Sequence, residues 1–142
     1  MTRDIPKERD RMERKQIKTL DSLWALTVKE KAGYRCEYCN KTGRMEAAHV
    51  VGRRHRATRW GWDLDIGYDL CGHCLCHTCH QEYDEHGPLE PKIIEFTIGR
   101  HRKERIQAKA VQRVTKGQVF EDIEELLKKE RAANDDSPFA ND

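Results

Sequence analysis

The chain has 142 residues, of which 37% are hydrophobic and 37% are charged, and its formal net charge is +2. This length fits one domain with a small core, which gains stability from a staple such as a structural metal. Because the sequence lacks both a long apolar run and a signal-peptide core, we predict no membrane insertion and no export, hence a cytoplasmic protein. In a reducing compartment, six cysteines and seven histidines indicate metal binding rather than disulfides.

The two ends of the chain carry helical patterns. Residues 1–33 form a predicted helical segment, in which charges alternate first and apolar residues then recur at helical spacing. Gly33 favours the end of this helix. Residues 91–134 form a predicted C-terminal helical extension, with one amphipathic helix starting near Arg100 and another after Gly117.

Residues 34–90 form the predicted core. They begin with a tight turn, continue into a strand at 45–51, and end in a helix that begins at Leu75. The segment 52–68 is predicted to be irregular, since it is rich in glycine, aspartate and arginine without periodicity. A short apolar run after the core fits a strand and a helix equally well, and residues 135–142 are predicted to be disordered.

Basic residues are concentrated in two stretches of the sequence. Segments 41–59 and 100–113 each contain six lysines or arginines against a single glutamate. Such stretches attract a phosphate backbone, although a solvated helix face explains the second one equally well. The first stretch contains Arg53, Arg54, Arg56 and Arg59, which are predicted to contact backbone phosphates. For Arg59 and for Trp60 beside it, a purely structural role is an equal alternative.

Paired cysteines predict a structural zinc site. Each Cys-x-x-Cys turn presents two thiolates on one side, and two such turns complete a closed tetrahedron. Cys36 and Cys39 form the first pair. The second pair is either Cys71 with Cys74 or Cys76 with Cys79. We prefer the latter, because His80 then directly follows the second pair and the helix residues continue from it. Cys71 and Cys74 are then small buried residues, or ligands of a second metal together with His73.

The order of these motifs resembles the HNH endonucleases of the ββα-metal type, and within them the phage-encoded, NinG-like recombination proteins. The resemblance covers about residues 20–90. It is carried by the lead-in Gly33-Tyr34-Arg35-Cys36, the motif Glu46-Ala47-Ala48-His49, the segment Ala57 to Trp60 and the closing motif Leu75 to His80.

The resemblance implies a β-hairpin followed by a helix that together clasp one divalent cation, Mg²⁺ or another such as Mn²⁺ or Ni²⁺. It makes His49 the general base that deprotonates water for attack on a phosphodiester of double-stranded DNA. His80 matches the family's metal-binding histidine, and Asp84 lies four residues later on the same helix face. His80 as a replacement zinc ligand is the alternative.

The chain also departs from the family pattern. Ala48 stands where many members have a metal ligand, and the resemblance then offers Glu46 as a substitute, although a strand places it on the face opposite His49. Cys71 occupies the spacing of the family's central asparagine. Because a thiolate is a poor Mg²⁺ ligand, Asp69 or water is expected there instead.

The sequence therefore predicts an α+β protein, with a small zinc-stapled ββα-metal core and flanking N- and C-terminal helices. The predicted function is a metal-dependent HNH-type DNA endonuclease, encoded by a phage and acting in DNA recombination, packaging or processing. Two alternatives stay open. One is a non-catalytic zinc module that binds nucleic acid, and the other is a protein that recruits phage replication, recombination or packaging proteins.

Overall fold

The computed structural model describes residues 4–52, 55–64, 68–112 and 116–135. Within these residues the protein has the predicted α+β class. Its helices are α1 (Asp4–Lys31), α2 (Arg56–Arg59), α3 (His77–Asp84), α4 (Glu90–Thr97), α5 (Arg100–Ala110) and α6 (Lys116–Asp135). Its strands are β1 (Glu46–His49), β2 (Trp62–Asp63), β3 (Tyr68–Asp69) and β4 (Gly72–Leu75), which form two antiparallel pairs, β1 with β4 and β2 with β3.

Helix α1 ends where the sequence predicts. The chain enters the left-handed region at Gly33 (φ 65°), where a residue without a side chain is least strained. The backbone N–H groups of Gly33 and Tyr34 turn back to the carbonyls of Glu30 and Lys29, which closes the last turn. The helix also includes most of the charge-alternating segment that precedes its apolar half.

A strand–strand–helix unit forms the centre of the molecule. Strands β1 and β4 pair so that Glu46 lies opposite Leu75 and His49 lies opposite Gly72. Strand β4 then leads directly into α3, with Cys76 as the N-cap residue of the helix. The predicted strand at 45–51 is therefore present but shorter. The predicted helix is also present, but it begins at His77 rather than at Leu75. Leu75 belongs instead to strand β4, which was not predicted.

The segment predicted to be irregular contains regular structure. Helix α2 lies in its first half, and β2 pairs with β3 in its second half. One contact from outside the segment and one within it stabilise it: Asp21 of α1 accepts a hydrogen bond from the Trp60 indole, and the Tyr68 hydroxyl donates to the Trp60 carbonyl. The apolar run after the core, which the sequence left unassigned, is helix α4.

The hydrophobic core joins the three ordered segments predicted from the sequence. One cluster of buried side chains includes Leu20 and Trp24 of α1, Leu75 of the core, and Ile106 and Leu127 of the C-terminal helices. Helices α1 and α6 pack together, so the flanking helices share one core with the central unit.

Two ion pairs join the last turns of α1 and α6, Glu30 with Arg131 and Lys31 with Glu130. The tail predicted to be disordered lies outside the described residues, apart from Asp135 at the end of α6. None of the helices in the described part of the chain is long and apolar enough to cross a membrane.

Candidate metal centre and histidine cavity

Four cysteine sulfurs meet at one point between the Cys36–Cys39 turn and the start of α3. The sulfurs of Cys36, Cys39, Cys76 and Cys79 all lie within 4.8 Å of one another. The sulfurs of Cys39 and Cys76 are 3.6 Å apart. Sulfurs that bind one tetrahedral zinc at about 2.3 Å are about 3.8 Å from each other, so the cluster has the dimensions of a structural zinc site. These are the four cysteines that the sequence analysis paired.

The local sequence explains the turn that carries the first two cysteines. The backbone N–H of Asn40 donates to the Cys36 carbonyl, and the Cys36 N–H donates to the Lys41 carbonyl. Asn40 takes a left-handed conformation (φ 65°), which asparagine tolerates better than most residues. Glu37 fixes the turn to β4, because its N–H and its carboxylate bond the Cys74 carbonyl and N–H respectively.

The environment of Cys36 favours a thiolate. Burial opposes its ionisation, but backbone N–H groups of Cys39, Cys76 and Tyr38 outweigh burial and lower the pKa of the thiol to about 7. At Cys79, burial and the neighbouring cysteines raise the pKa instead. A bound cation would stabilise the thiolate form of Cys79 against these effects, since metals bind thiolates rather than thiols.

Cys71 and Cys74 lie outside this cluster. Both are buried, and burial raises the pKa of each thiol to about 12. Among the described residues, the four cysteines named above form the one group of three or more potential ligands close enough to share an ion. The second metal considered with His73 therefore has no such group here, and Cys71 and Cys74 are buried neutral thiols.

His49 is held at the end of β1 by contacts from two helices. Its ring stacks on the indole of Trp24, with centroids 4.0 Å apart and planes inclined by 11°. Its Nε2 atom lies 2.9 Å from the Arg59 carbonyl oxygen. Because a carbonyl only accepts, Nε2 must carry the proton, and Nδ1 carries the basic lone pair of the neutral ring.

His80 lies between two carboxylates. Its Nδ1 atom is 2.7 Å from Glu46 Oε1, and its Nε2 atom is 3.1 Å from Asp84 Oδ2. The other oxygen of Glu46 lies 3.1 Å from Nδ1 of His77. Hydrogen bonds from His80 and His77 outweigh partial burial and lower the pKa of Glu46. The structure thus brings His80, Asp84 and Glu46 together, with Glu46 and Asp84 on opposite sides of the His80 ring.

One cavity of about 630 Å³ contains the histidines of both motifs. His49 from β1 lines it together with His80 and Asp84 from α3. Glu46 is not among its lining residues. The remaining lining residues come from β1 and the loop after it, from α3, α4 and the loop between them, and from α5: Ala47, Val50, Gly52, Tyr83, His86, Glu90, Ile94, Lys103 and Gln107.

The other predicted site residues lie elsewhere. Asp69 is buried in a two-point ion pair with Arg102, at 2.6 and 2.8 Å, and is not among the residues that line the histidine cavity. Arg56 pairs with Glu13 of α1, and Arg59 makes a two-point pair with Asp21. The predicted phosphate contacts of Arg53 and Arg54 fall outside the described residues.

Sequence reasoning missed two contributions to this site. The stack of Trp24 on His49 joins residues from distant parts of the chain, which the apolar spacing of α1 could not predict. Lys103 was noted within a basic stretch, but nothing in the sequence placed it in the cavity that His49 also lines. No protein-family model, curated protein sequence or solved structure matches this chain, so its function rests on the geometry of the site and on its motifs.

Proposed function

We propose that this protein is a metal-dependent DNA endonuclease of the HNH type. The observation that carries the proposal is that His49, His80 and Asp84 line one cavity, although the first belongs to β1 and the other two to α3. The order of β1, β4 and α3 along the chain also matches the hairpin-and-helix unit that the resemblance implies. These are the side chains to which the motifs assign the base and the metal ligands.

His49 is the general base in this proposal. Its Nε2–H donates a hydrogen bond to the Arg59 carbonyl, so Nδ1 is the atom that takes the proton from the attacking water. The new bond joins the water oxygen to phosphorus, and the bond from phosphorus to the 3′-oxygen breaks. The Trp24 stack fixes the plane of the ring. Asp21 holds Arg59 through its side chain and thereby positions the carbonyl that orients His49.

His80 and Asp84 have the spacing of neighbouring ligands on one cation. The Nε2 and Oδ2 atoms lie 3.1 Å apart, and two adjacent ligands about 2.1 Å from an octahedral cation are separated by about 3 Å. Water and phosphate oxygens would complete the coordination of Mg²⁺, Mn²⁺ or Ni²⁺. A bound divalent cation supplies charge stabilisation at the scissile phosphate and at the leaving oxygen.

Glu46 and Asp69 are not metal ligands in this proposal, in contrast to the prediction from the sequence. Glu46 holds the Nδ1 side of His80 and so orients the ring, as carboxylates behind metal-binding histidines commonly do. Asp69 is occupied by Arg102 and is left out of the ligand set. The four-cysteine cluster is proposed to hold a structural zinc that fixes the start of α3.

A plasmid-nicking assay tests the proposal. Wild-type protein is incubated with supercoiled plasmid and Mg²⁺, Mn²⁺ or Ni²⁺, beside the His49→Ala variant. Removal of a general base is expected to slow cleavage by roughly 10²- to 10⁴-fold while DNA binding is retained. The matched control is His101→Ala, which removes an exposed histidine that does not line the cavity and should cut at the wild-type rate.

A non-catalytic nucleic-acid-binding module is the second candidate. It is favoured by Ala48 at a family ligand position and by the fact that no three donors of the described cavity residues lie close enough together to share an ion. If the wild type binds DNA but cuts it with none of these metals, this second candidate replaces the nuclease. Equal cutting by the wild type and His49→Ala would also contradict the proposed role of His49.

A further inference from the structure

We propose that Lys103 of α5 binds a backbone phosphate of the DNA strand that enters the histidine cavity. Helix α5 lies outside the motifs that suggested a nuclease, and no role of Lys103 follows from them. The inference rests on the proposed function only for its choice of DNA as the ligand.

Lys103 belongs to the wall of the cavity that contains His49 and His80. It lies one helical turn before Gln107, and both side chains line this cavity. A lysine and a glutamine one turn apart on a helix project to the same side, so an ammonium group and an amide face the same space. Both are donors that bind phosphate oxygens.

Lys103 differs from the other lysine and arginines of α5. Arg100 pairs with Glu104, and Arg102 pairs with Asp69. The Arg105 guanidinium donates to the Leu64 carbonyl, and Lys109 donates to Gln112. The ammonium group of Lys103 makes no ion pair or side-chain hydrogen bond with any residue that the structure describes. It is therefore a cation available for an external anion.

The carboxylates of the cavity are engaged by histidines. Asp84 lies beside His80, and Glu90 lies beside His86. Neither is within ion-pairing distance of Lys103, although all three residues line the same cavity. A phosphodiester that enters this space meets two carboxylates, and Lys103 supplies a positive charge on the α5 wall to offset them. A phosphate oxygen is thus the fitting partner for its ammonium group.

The test measures DNA binding without cleavage. A short, fluorescently labelled DNA duplex is titrated with full-length protein, without added divalent cation, at several salt concentrations. Loss of one phosphate contact in Lys103→Ala should weaken binding by about three- to tenfold at low salt and make the slope of log K against log salt shallower by about one. Lys103→Arg keeps the charge and should restore both quantities.

The matched control is Lys92→Ala, which removes the same charge from an exposed position on α4 outside the cavity lining. It should bind DNA as the wild type does, and circular dichroism should show all variants folded. Identical affinity and salt slope for Lys103→Ala and wild type would overturn the inference, even if the wild type cuts DNA. Weakened binding by Lys103→Ala supports it, even if no protein cuts DNA and the proposed nuclease fails.

Discussion

At the level of single residues, side chains and a backbone carbonyl from other segments fix the orientation of the two cavity histidines. The stack on Trp24 fixes the plane of the His49 ring, and the Arg59 carbonyl fixes the ring proton on Nε2. His80 is held on its Nδ1 side by Glu46, which comes from the neighbouring strand. Both rings are therefore oriented before any ligand arrives, which lowers the cost of ordering them when a substrate or cation binds.

Glu46 provides a test of this orientation. Its replacement by alanine removes the acceptor behind His80. In the proposed cation site this should weaken the affinity for Mn²⁺ by about 10- to 100-fold, because the orientation of the His80 ring is lost. Calorimetric titration of the zinc-loaded protein with Mn²⁺ measures this. Zinc content should stay constant. His77→Ala removes the exposed second partner of Glu46 and should have little effect. If Glu46→Ala binds Mn²⁺ as tightly as the wild type, Glu46 does not position His80.

His73 makes stability depend on pH. It is fully buried, and burial followed by the positive charges of Arg102 and His80 lowers its pKa from 6.5 to about 3. Thr97 gives its own proton to the Ile93 carbonyl, so Nδ1 of His73 donates to the Thr97 hydroxyl oxygen. Its Nε2 atom has no hydrogen-bond partner among the described residues. Protonation at Nε2 would place an unpaired positive charge in the core.

Below pH 6.5 the unfolded chain therefore binds a proton at His73 that the folded protein does not bind. Stability falls as the pH decreases through this range, and lowering the pH from 7 to 5 should cost about 2 kcal/mol of unfolding free energy. Urea unfolding at both pH values measures this in the wild type and in His73→Phe, which has no proton to gain. The difference between the two pH values should be smaller in the variant by that amount. An unchanged pH dependence would show that His73 is not its source.

At the level of elements, the pairing of β1 with β4 depends on a glycine. Gly72 lies opposite His49, and a Cβ atom at this position would come within 2.4 Å of Trp24 Cζ2 and 2.9 Å of the Ala48 carbonyl oxygen. Gly72→Ala must displace the Trp24 ring or the strand. It should lower the free energy of unfolding by about 1–3 kcal/mol.

The matched control for Gly72→Ala is Gly52→Ala. No atom of the described residues lies within 4 Å of a Cβ placed at Gly52, and its φ lies outside the left-handed region, so this change should leave stability nearly unchanged. Urea unfolding of both variants compares the two. Equal stability of Gly72→Ala and the wild type would mean that the stack of Trp24 and His49 adjusts without cost.

The elements also show how far the sequence alone reaches. Helix α1 follows from its apolar periodicity and from Gly33 at its end, and the helix that carries His80 was predicted, although it begins at His77 rather than at Leu75. Spacing alone left the second cysteine pair open, and the preferred pair, Cys76 with Cys79, is the one in the cluster. Strand β4 does not follow from the sequence, because its residues Gly-His-Cys-Leu are buried throughout and have no alternating pattern. Pairing with β1 creates this strand. The Asp69–Arg102 ion pair could likewise not be predicted from the sequence, since the two residues come together only through tertiary packing.

At the level of the whole molecule, the cysteine cluster connects the first turn of the core to the helix that carries His80. We expect one tightly bound zinc per chain, and Cys36→Ser should lose both the zinc and cooperative unfolding, because a structural zinc contributes directly to folding. Metal analysis by mass spectrometry and thermal unfolding measure the two effects. Addition of a strong chelator to the wild type should have the same result.

Cys71→Ala is the control for this experiment. Cys71 is as buried as Cys36 but lies outside the cluster, so the variant should keep its zinc and a cooperative transition. Two zinc ions per wild-type chain, or loss of zinc in Cys71→Ala, would contradict the assignment of the cluster to Cys36, Cys39, Cys76 and Cys79.

The unequal burial of the four sulfurs has a kinetic consequence. Cys36, Cys76 and Cys79 are buried, whereas Cys39 is exposed. In the zinc-loaded protein, a chelator or an electrophile therefore reaches the cluster first at Cys39, before the other thiolates are accessible. The rate at which the metal exchanges is then set by the detachment of this one sulfur, while the affinity is set by all four. The exchange rate of a zinc bound here would thus depend on one accessible sulfur rather than on its overall affinity.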